Sequence, residues 1–290
     1  MKYFKKEKHN EKAVQKTIFT VLLIILLIFS GCADRKNDLA VVQLTEEISI
    51  TEIEENVFVV THSFPWTGNS LLLVLDKENI LWIDTPYTPE ATARVLDWIE
   101  AEIGQDYSIT EINTGFHIDN LGGNQELIKR NIPIYGSGLT CELLEKQSRI
   151  TMSKMMNWLK GAQNAKYRAV YSDFQFFRPT RTFDINEEQR LTFGSEEVII
   201  HYPGPTHTYD NLVVYVPGRE LLFGGCMILS ADADKVGFVE DGNLQEWAKS
   251  LLKLEERFES IRIVIPGHGN PGSSELIEHT KDVVDAALSD

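Results

Sequence analysis

The stretch Thr114–Asn124, TGFHIDNLGGN, decides how this chain is read. It follows an apolar, β-prone run, ITEIN (109–113), and leads into a segment of helical character over 123–131. It therefore lies on a loop at a strand end, where glycines let the backbone turn tightly and present His117 and Asp119. An imidazole and a carboxylate two residues apart suit a metal. A metal-hydrolase reading wants a histidine two places before His117, and Gly115 stands there. On these residues alone three readings stay open: a metal site that has lost a ligand, a site built for one metal, or no metal site.

Three distant loops carry residues of the same kind. They hold His207 in GPTHTYDN, Cys226 in FGGCMI and His268 in IPGHGNP. Each follows an apolar run and has Gly within four residues. A lone histidine is usually an ordinary surface or core residue. Imidazoles, a carboxylate and a thiol gathered at strand ends form a borderline-soft donor set that suits zinc above calcium or magnesium.

The segments between these loops alternate in type. VFVV (57–60), LLLVL (71–75) and ILWI (80–83) read as strands. TPEATARVLDWIEAEIG (88–104) reads as a helix with Thr88 as cap, Pro89 in the first turn and Gly104 at its end. IPIY (132–135) is a further strand, and 139–165 is helical, with Met152, Met155, Met156, Trp158 and Leu159 as a soft, bulky stripe. That stripe suits either core or a lid over a pocket. The second half repeats the alternation. Strands fall at 196–204, 212–218, 220–226 and in 261–272, and helices at 243–258 and 273–288. This is the pattern of an α/β layered fold.

Formal net charge is −15, and the first 31 residues carry six Lys against Glu7 and Glu11, so the remainder is more acidic still. Such a surface repels phosphate backbones and argues against a nucleic-acid partner, though its ordinary meaning is solubility. The Lys-rich start runs into IFTVLLIILLIF (18–29), too short to span a bilayer comfortably but suited to a signal-peptide core. Ser30 and Gly31 before Cys32 resemble the cleavage box of bacterial lipoproteins. That resemblance implies a signal peptide over 1–31, lipid on Cys32, a tether over 32–44 and an exported, periplasmic protein anchored to membrane by its N-terminal lipid. A plain secretory signal also implies export. The domain then occupies 45–290, and a monomer is the default expectation.

FHIDNLGGN, PGPTHTYDN, FGGC and IPGHG resemble the zinc motifs of the metallo-β-lactamase superfamily, over about residues 45–288. The cysteine motif and the GxxHTxDN form are similar to the true β-lactamases within it. LWIDTP (81–86) matches as well, with Asp84 at the place of a supporting group. The resemblance implies a four-layer αββα sandwich and two adjacent metal sites. One is implied intact as Asp119, Cys226 and His268. The other keeps His117 and His207 but has Gly115 in place of its third histidine. The mono-zinc, carbapenem-hydrolysing branch also lacks that histidine, and the short loop HSFPWTGNS (62–70) and the helical 139–165 region resemble it too.

The implied function is a zinc hydrolase that opens the β-lactam ring, carbapenem-preferring, and so confers antibiotic resistance. It would hold one Zn2+ in the Asp–Cys–His site and a second weakly if at all. His117 or Asp119 would act as general base, His207 would orient substrate or assist the water, and Asp84 and Asn211 would hold loop geometry. Cys226 as a thiolate ligand argues against a disulfide with Cys141, which reads as a buried small hydrophobe. Two departures bear on substrate. Leu229 stands where the family commonly has a lysine for the antibiotic carboxylate, and Phe238 where an asparagine polarises the carbonyl. A lost charge-assisted contact costs roughly tenfold to a hundredfold. Lys235, Lys154, Arg149 or Lys160 are the candidate substitutes. Two alternatives remain: a hydrolase of the same fold acting on another ester, thioester or lactone, and an inactive exported metal-binding protein.

Overall fold

The run LLLVL shows how the molecule is layered. Leu71, Leu73 and Leu75 face one core, while Leu72 and Val74 face another, and all five are buried. A strand buried on both sides belongs inside a sandwich with helices outside. The computed structural model describes residues 39–289; the signal segment, Cys32 and most of the tether lie outside them.

The first sheet follows chain order: β1 (Ala40–Gln43), β2 (Ile48–Glu54), β3 (Val57–Ser63), β4 (Thr67–Val74), β5 (Asn79–Ile83), β6 (Ser108–Ile112), β7 (Ile134–Ser137) and β8 (Arg181–Phe183). Pairing is antiparallel from β1 to β5 and parallel from β5 to β8. The second sheet contains β9 (Gln189–Phe193), β10 (Glu196–His201), β11 (Val213–Val216), β12 (Leu221–Gly225) and β13 (Ile263–Pro266), side by side in that order. Its β12–β13 pair is parallel. Leu71, Leu73, Leu81, Ile83 and Ile112 of one sheet meet Val198, Ile200, Val214, Val216 and Phe223 of the other.

Helix α1 (Pro89–Trp98) starts where Thr88 Oγ1 accepts from Ala91 N–H at 3.2 Å, and a wider turn carries it through Ile103 to Gly104. Two short helices follow, α2 (Ile118–Leu121) and α3 (Asn124–Lys129). Val95, Leu96 and Ile99 cover the outer face of the first sheet with Ile80 and Trp82. Helices α6 (Leu244–Arg257) and α7 (Glu275–Ser289) cover the second through Trp247, Leu251, Leu254, Leu276 and Val284. The expected αββα sandwich is therefore present.

Some local readings change. Ala40–Gln43, read as the end of the tether, pairs with β2 as a strand whose side chains are exposed. Residues 62–70 are not a loop: β3 and β4 pair down to Ser63 and Thr67, leaving a turn of Phe64, Pro65 and Trp66. The helix expected over 139–165 is α4 (Gly138–Trp158), which stops before Gly161 at φ +126°, and a separate α5 (Ala165–Ser172) follows. Its stripe divides. Met155 and Leu159 are buried against Phe64, Tyr87, Ile118 and Tyr171, whereas Trp158 is 50% exposed. Cys141 is only half-buried, and Cys141 and Cys226 are both free thiols.

One core residue predicts a pH dependence. Glu111 of β6 is fully buried, and its Oε1 accepts from Asn113 Nδ2 at 2.6 Å while Oε2 lacks a partner among the described residues. Burial, then the nearby Asp84, pushes its carboxyl well above the usual range. A raised folded pKa contributes stability that is full below the unfolded value, about 4.3, and is lost as pH rises towards the folded value. Glu111→Gln removes this loss, which amounts to about 1.4 kcal/mol per pH unit across that window. The melting temperature of the variant is expected to match the parent near pH 4 and exceed it by several degrees at pH 8. A gap that does not change with pH would contradict the buried neutral acid.

Candidate metal centre

Most sequence-predicted site residues lie in segments that follow a strand, with Asp119 on the short helix α2; Asn211 stands just before β11, and Cys32 lies outside the described residues. Asp84 follows β5, His117 and Asp119 follow β6, His207 follows β10, Cys226 follows β12 and His268 follows β13. Backbone bonds tie these loops together. Leu212 N–H donates to Thr114 O at 2.8 Å, Asn69 N–H to Gly267 O at 2.8 Å and Gly267 N–H to Gly225 O at 2.7 Å. Gly267 is needed here, because a Cβ would lie 2.7 Å from Cys226 N and 3.0 Å from its Sγ.

Asp119, Cys226 and His268 form a compact donor triangle. Cys226 Sγ is 3.3 Å from Asp119 Oδ2 and 3.6 Å from His268 Nε2, and His268 Nε2 is 3.2 Å from Asp119 Oδ2. Tetrahedral zinc with ordinary bond lengths holds such atoms about 3.4–3.6 Å apart. The residues fit the ion. His268 Nδ1 donates to Thr67 O at 2.6 Å, which reserves Nε2 for the triangle. Burial alone would raise the Asp119 carboxyl, but His268, by hydrogen bond and charge, holds it well below the usual range. Burial, with the Asp119 charge, pushes the Cys226 thiol up. A divalent cation reverses that balance and makes the thiol a thiolate.

Asp84 braces the triangle from behind. Its Oδ1 accepts from Thr114 N–H at 2.7 Å, and Oδ2 accepts from Thr114 Oγ1 at 2.7 Å and Asn120 Nδ2 at 2.9 Å. Asn120 Nδ2 also lies 3.8 Å from Cys226 Sγ. Asp84 sits at φ +57°, a conformation that Asp and Asn tolerate better than most residues. Burial pushes its carboxyl up to about 8 despite these hydrogen bonds. Asn211 Oδ1 accepts from Thr206 Oγ1 and Thr208 N–H, both at 2.9 Å, and so shapes the turn bearing His207.

The His117 and His207 rings stand edge to face, 5.1 Å apart. Burial, then the His117 charge, lowers His207 to about 3, so it is neutral at physiological pH. His117 Nε2 is 3.2 Å from Asp241 Oδ2. Thr151 Oγ1 donates to that same oxygen at 2.7 Å, and Lys154 Nζ donates to Oδ1 at 3.2 Å, both from α4. Asp241 was missed in the sequence, where it is one acid in VEDGN and belongs to no quoted motif. Lys154, a candidate partner for a substrate carboxylate, also pairs with Glu240 at 2.9 Å and is thus engaged on two sides. At Gly115 a Cβ would meet Asn120 Oδ1 at 3.0 Å and Asn211 Nδ2 at 3.1 Å, so a side chain there needs these two amides to give by a few tenths of an ångström.

A family model described as the metallo-beta-lactamase superfamily matches residues 64–268, which hold all of these ligands. The chain belongs to the metallo-beta-lactamase superfamily. Similar superfamily members include a metallo-beta-lactamase type 2 of Bacillus sp. (strain 170), 30% identical over 244 residues and covering 83% of both chains. Another, from Bacteroides fragilis, is 25% identical over 270 residues, 91% of this chain and 95% of that protein. Among solved structures, TMB-1 matches with a TM-score of 0.68 at 27% identity, over 84% of this chain and all of that one. DIM-1 metallo-beta-lactamase matches with the same TM-score and identity, over 86% of this chain and all of that one.

Proposed function

We propose that this protein is a zinc-dependent hydrolase that opens β-lactam rings, using one zinc ion held by Asp119, Cys226 and His268. The observation that carries this is the donor triangle, whose edges of 3.2–3.6 Å suit tetrahedral zinc within a chain of this superfamily. Relatives named as metallo-beta-lactamases support the substrate class. Gly115, which offers no ligand where a third histidine would stand, supports one metal rather than two.

Bound zinc supplies Lewis-acid stabilisation of the charge that develops on the ring nitrogen. The residues of the chain do the rest. Water forms a C–O bond to the lactam carbonyl, the ring C–N bond breaks, and the nitrogen gains a proton. His117, held at Nε2 by Asp241, has Nδ1 left to take the proton that leaves the water, and Asp119 is the other candidate base. Neutral His207 orients substrate through one donor and one acceptor nitrogen. The Phe238 ring lies 5.8 Å from His117 and 6.3 Å from His207, so an apolar side chain borders both imidazoles. Leu229 and Phe238 also favour, as a second reading, an apolar ester, thioester or lactone as substrate.

The proposal extends to export through the N-terminal segment and lipid attachment at Cys32, supported by the Lys-rich start, the apolar run 18–29 and Ser30–Gly31 before the cysteine. The test of function is turnover by zinc-loaded protein of a carbapenem, a cephalosporin, a penicillin and a thioester. Loss of ring absorbance for the carbapenem is expected. Thioester cleavage with no lactam opened at micromolar protein would put the second reading in its place.

A further inference from the structure

A cleft of about 540 Å³ lies where the start of β2, the end of β3, the start of α1 and α5 come together. Ile48, Phe64 and Ala91, all buried, line it with the more exposed Val170. Neither the donor triangle nor His117 or His207 borders this space. Its volume is that of a small-molecule pocket.

His62 of β3 also lines the cleft and is only 3% exposed. Its ring stacks on Phe64 at 5.4 Å and is met edge-on by Tyr87 at 5.6 Å, which holds its plane. Tyr87 N–H donates to Nδ1 at 3.1 Å. Burial lowers His62 to about 4, against the pull of Glu47, so the ring is neutral at pH 7. A neutral imidazole has one lone pair and one N–H; Nδ1 uses the lone pair, and Nε2 therefore carries the hydrogen. Nε2 finds no acceptor among the described residues. A buried donor without an acceptor is unfavourable, so this N–H calls for one inside the cleft. A metal ion does not suit it, because Nε2 has no lone pair to give.

The charged groups at the mouth are spent on one another. Lys166 pairs with Glu47, and Arg94 pairs with Glu90 at 3.1 Å. Glu46 is left as an excess negative charge on the same rim. An anion would meet that charge, whereas an apolar lining with one inward donor suits a molecule without charge. We propose that this cleft binds an uncharged small molecule with an apolar ring and a carbonyl-type acceptor, the acceptor taking the hydrogen of His62 Nε2. The site is separate from the metal centre and stands whether or not the lactam reading does.

The test titrates benzamide, benzoate and benzylamine into the zinc-loaded full chain at pH 7, followed by NMR at the His62 ring and the Val170 methyls. Benzamide has ring and acceptor without charge, and it is expected to shift both sets of signals and to saturate. Benzylamine lacks the acceptor and benzoate meets Glu46, so each should bind at least about threefold more weakly. In His62→Phe the benzamide Kd, read at Val170, should rise about three- to tenfold, the value of one hydrogen bond. Val170→Trp fills the cleft from a position that is 43% exposed and should abolish the His62 shifts. That variant carries the test if His62→Phe does not fold. No saturating shift in the parent, benzylamine or benzoate binding as tightly as benzamide, or benzamide binding unchanged in either variant would overturn the proposal.

Discussion

Cys226→Ser is expected to remove metal retention and hydrolytic activity together. Cys226 is buried just beyond β12, with Sγ within 3.3–3.6 Å of both partners of the donor triangle. A serine hydroxyl is shorter, harder and not ionised at neutral pH, so the site keeps one imidazole and one carboxylate. Disturbing a residue that merely supports a ligand costs about 10–100-fold in metal affinity. Removing the ligand itself is expected to cost at least about a hundredfold. The check is a thermal melt with and without zinc. At a hundredfold excess over Kd, zinc stabilises the parent by about 2.7 kcal/mol, or several degrees. The variant should melt close to the metal-free parent and gain nothing from zinc. A zinc-dependent shift retained in Cys226→Ser would place the metal elsewhere.

Asp84→Ala is expected to give the largest loss of stability among these substitutions. The carboxyl group makes three hydrogen bonds, and truncation strands Thr114 N–H in the interior and leaves Asn120 Nδ2 only its longer contacts to Thr114 Oγ1 and Cys226 Sγ. Each stranded buried donor costs about 1–3 kcal/mol. Alanine at φ +57° adds about 1–2 kcal/mol of backbone strain. A total of roughly 2–5 kcal/mol follows from the Thr114 donor and the strain, read as a drop in the urea midpoint at unchanged slope. Metal affinity should fall by about 10–100-fold as well, because Thr114 and Asn120 frame Asp119 and Cys226. Asp84→Asn keeps the backbone preference and one acceptor and should lose clearly less. Equal losses for the two variants would mean that the hydrogen bonds contribute little.

The legible parts of the sequence were those where one local force decides. Apolar runs such as LLLVL and ILWI are buried on both faces and could be little else than inner strands. Thr88 and Pro89 start a helix through their own chemistry. The ligand loops stood out because Gly, His, Asp and Cys gather there after apolar runs. The outer strands were not legible. β1 is wholly exposed, and β8 and β9 are mostly polar and only partly buried, so pairing rather than burial makes them strands. The 62–70 segment read as a loop because its Gly, Pro and Asn hid pairing set by β3.

In the site, ligand types were readable and their supports were not. Asp241 meets His117 across 124 positions of sequence, and Lys154 is drawn to Asp241 and Glu240 rather than left for a substrate. Asn120 and Thr114 lay inside the quoted stretch, yet only the folded chain aims both at Asp84. Gly115 looked like a missing ligand. In the structure it is also the place where the Asn120 and Asn211 amides come within 3.0–3.1 Å of where a Cβ would stand.

The central claim is that one zinc ion is held by Asp119, Cys226 and His268. Its most direct test is the zinc content per chain of the purified protein, after equilibration with micromolar zinc and removal of excess, measured by atomic emission. One equivalent in the parent and close to none in Cys226→Ser is the predicted result. Two equivalents in the parent, or one that persists in Cys226→Ser, would contradict it.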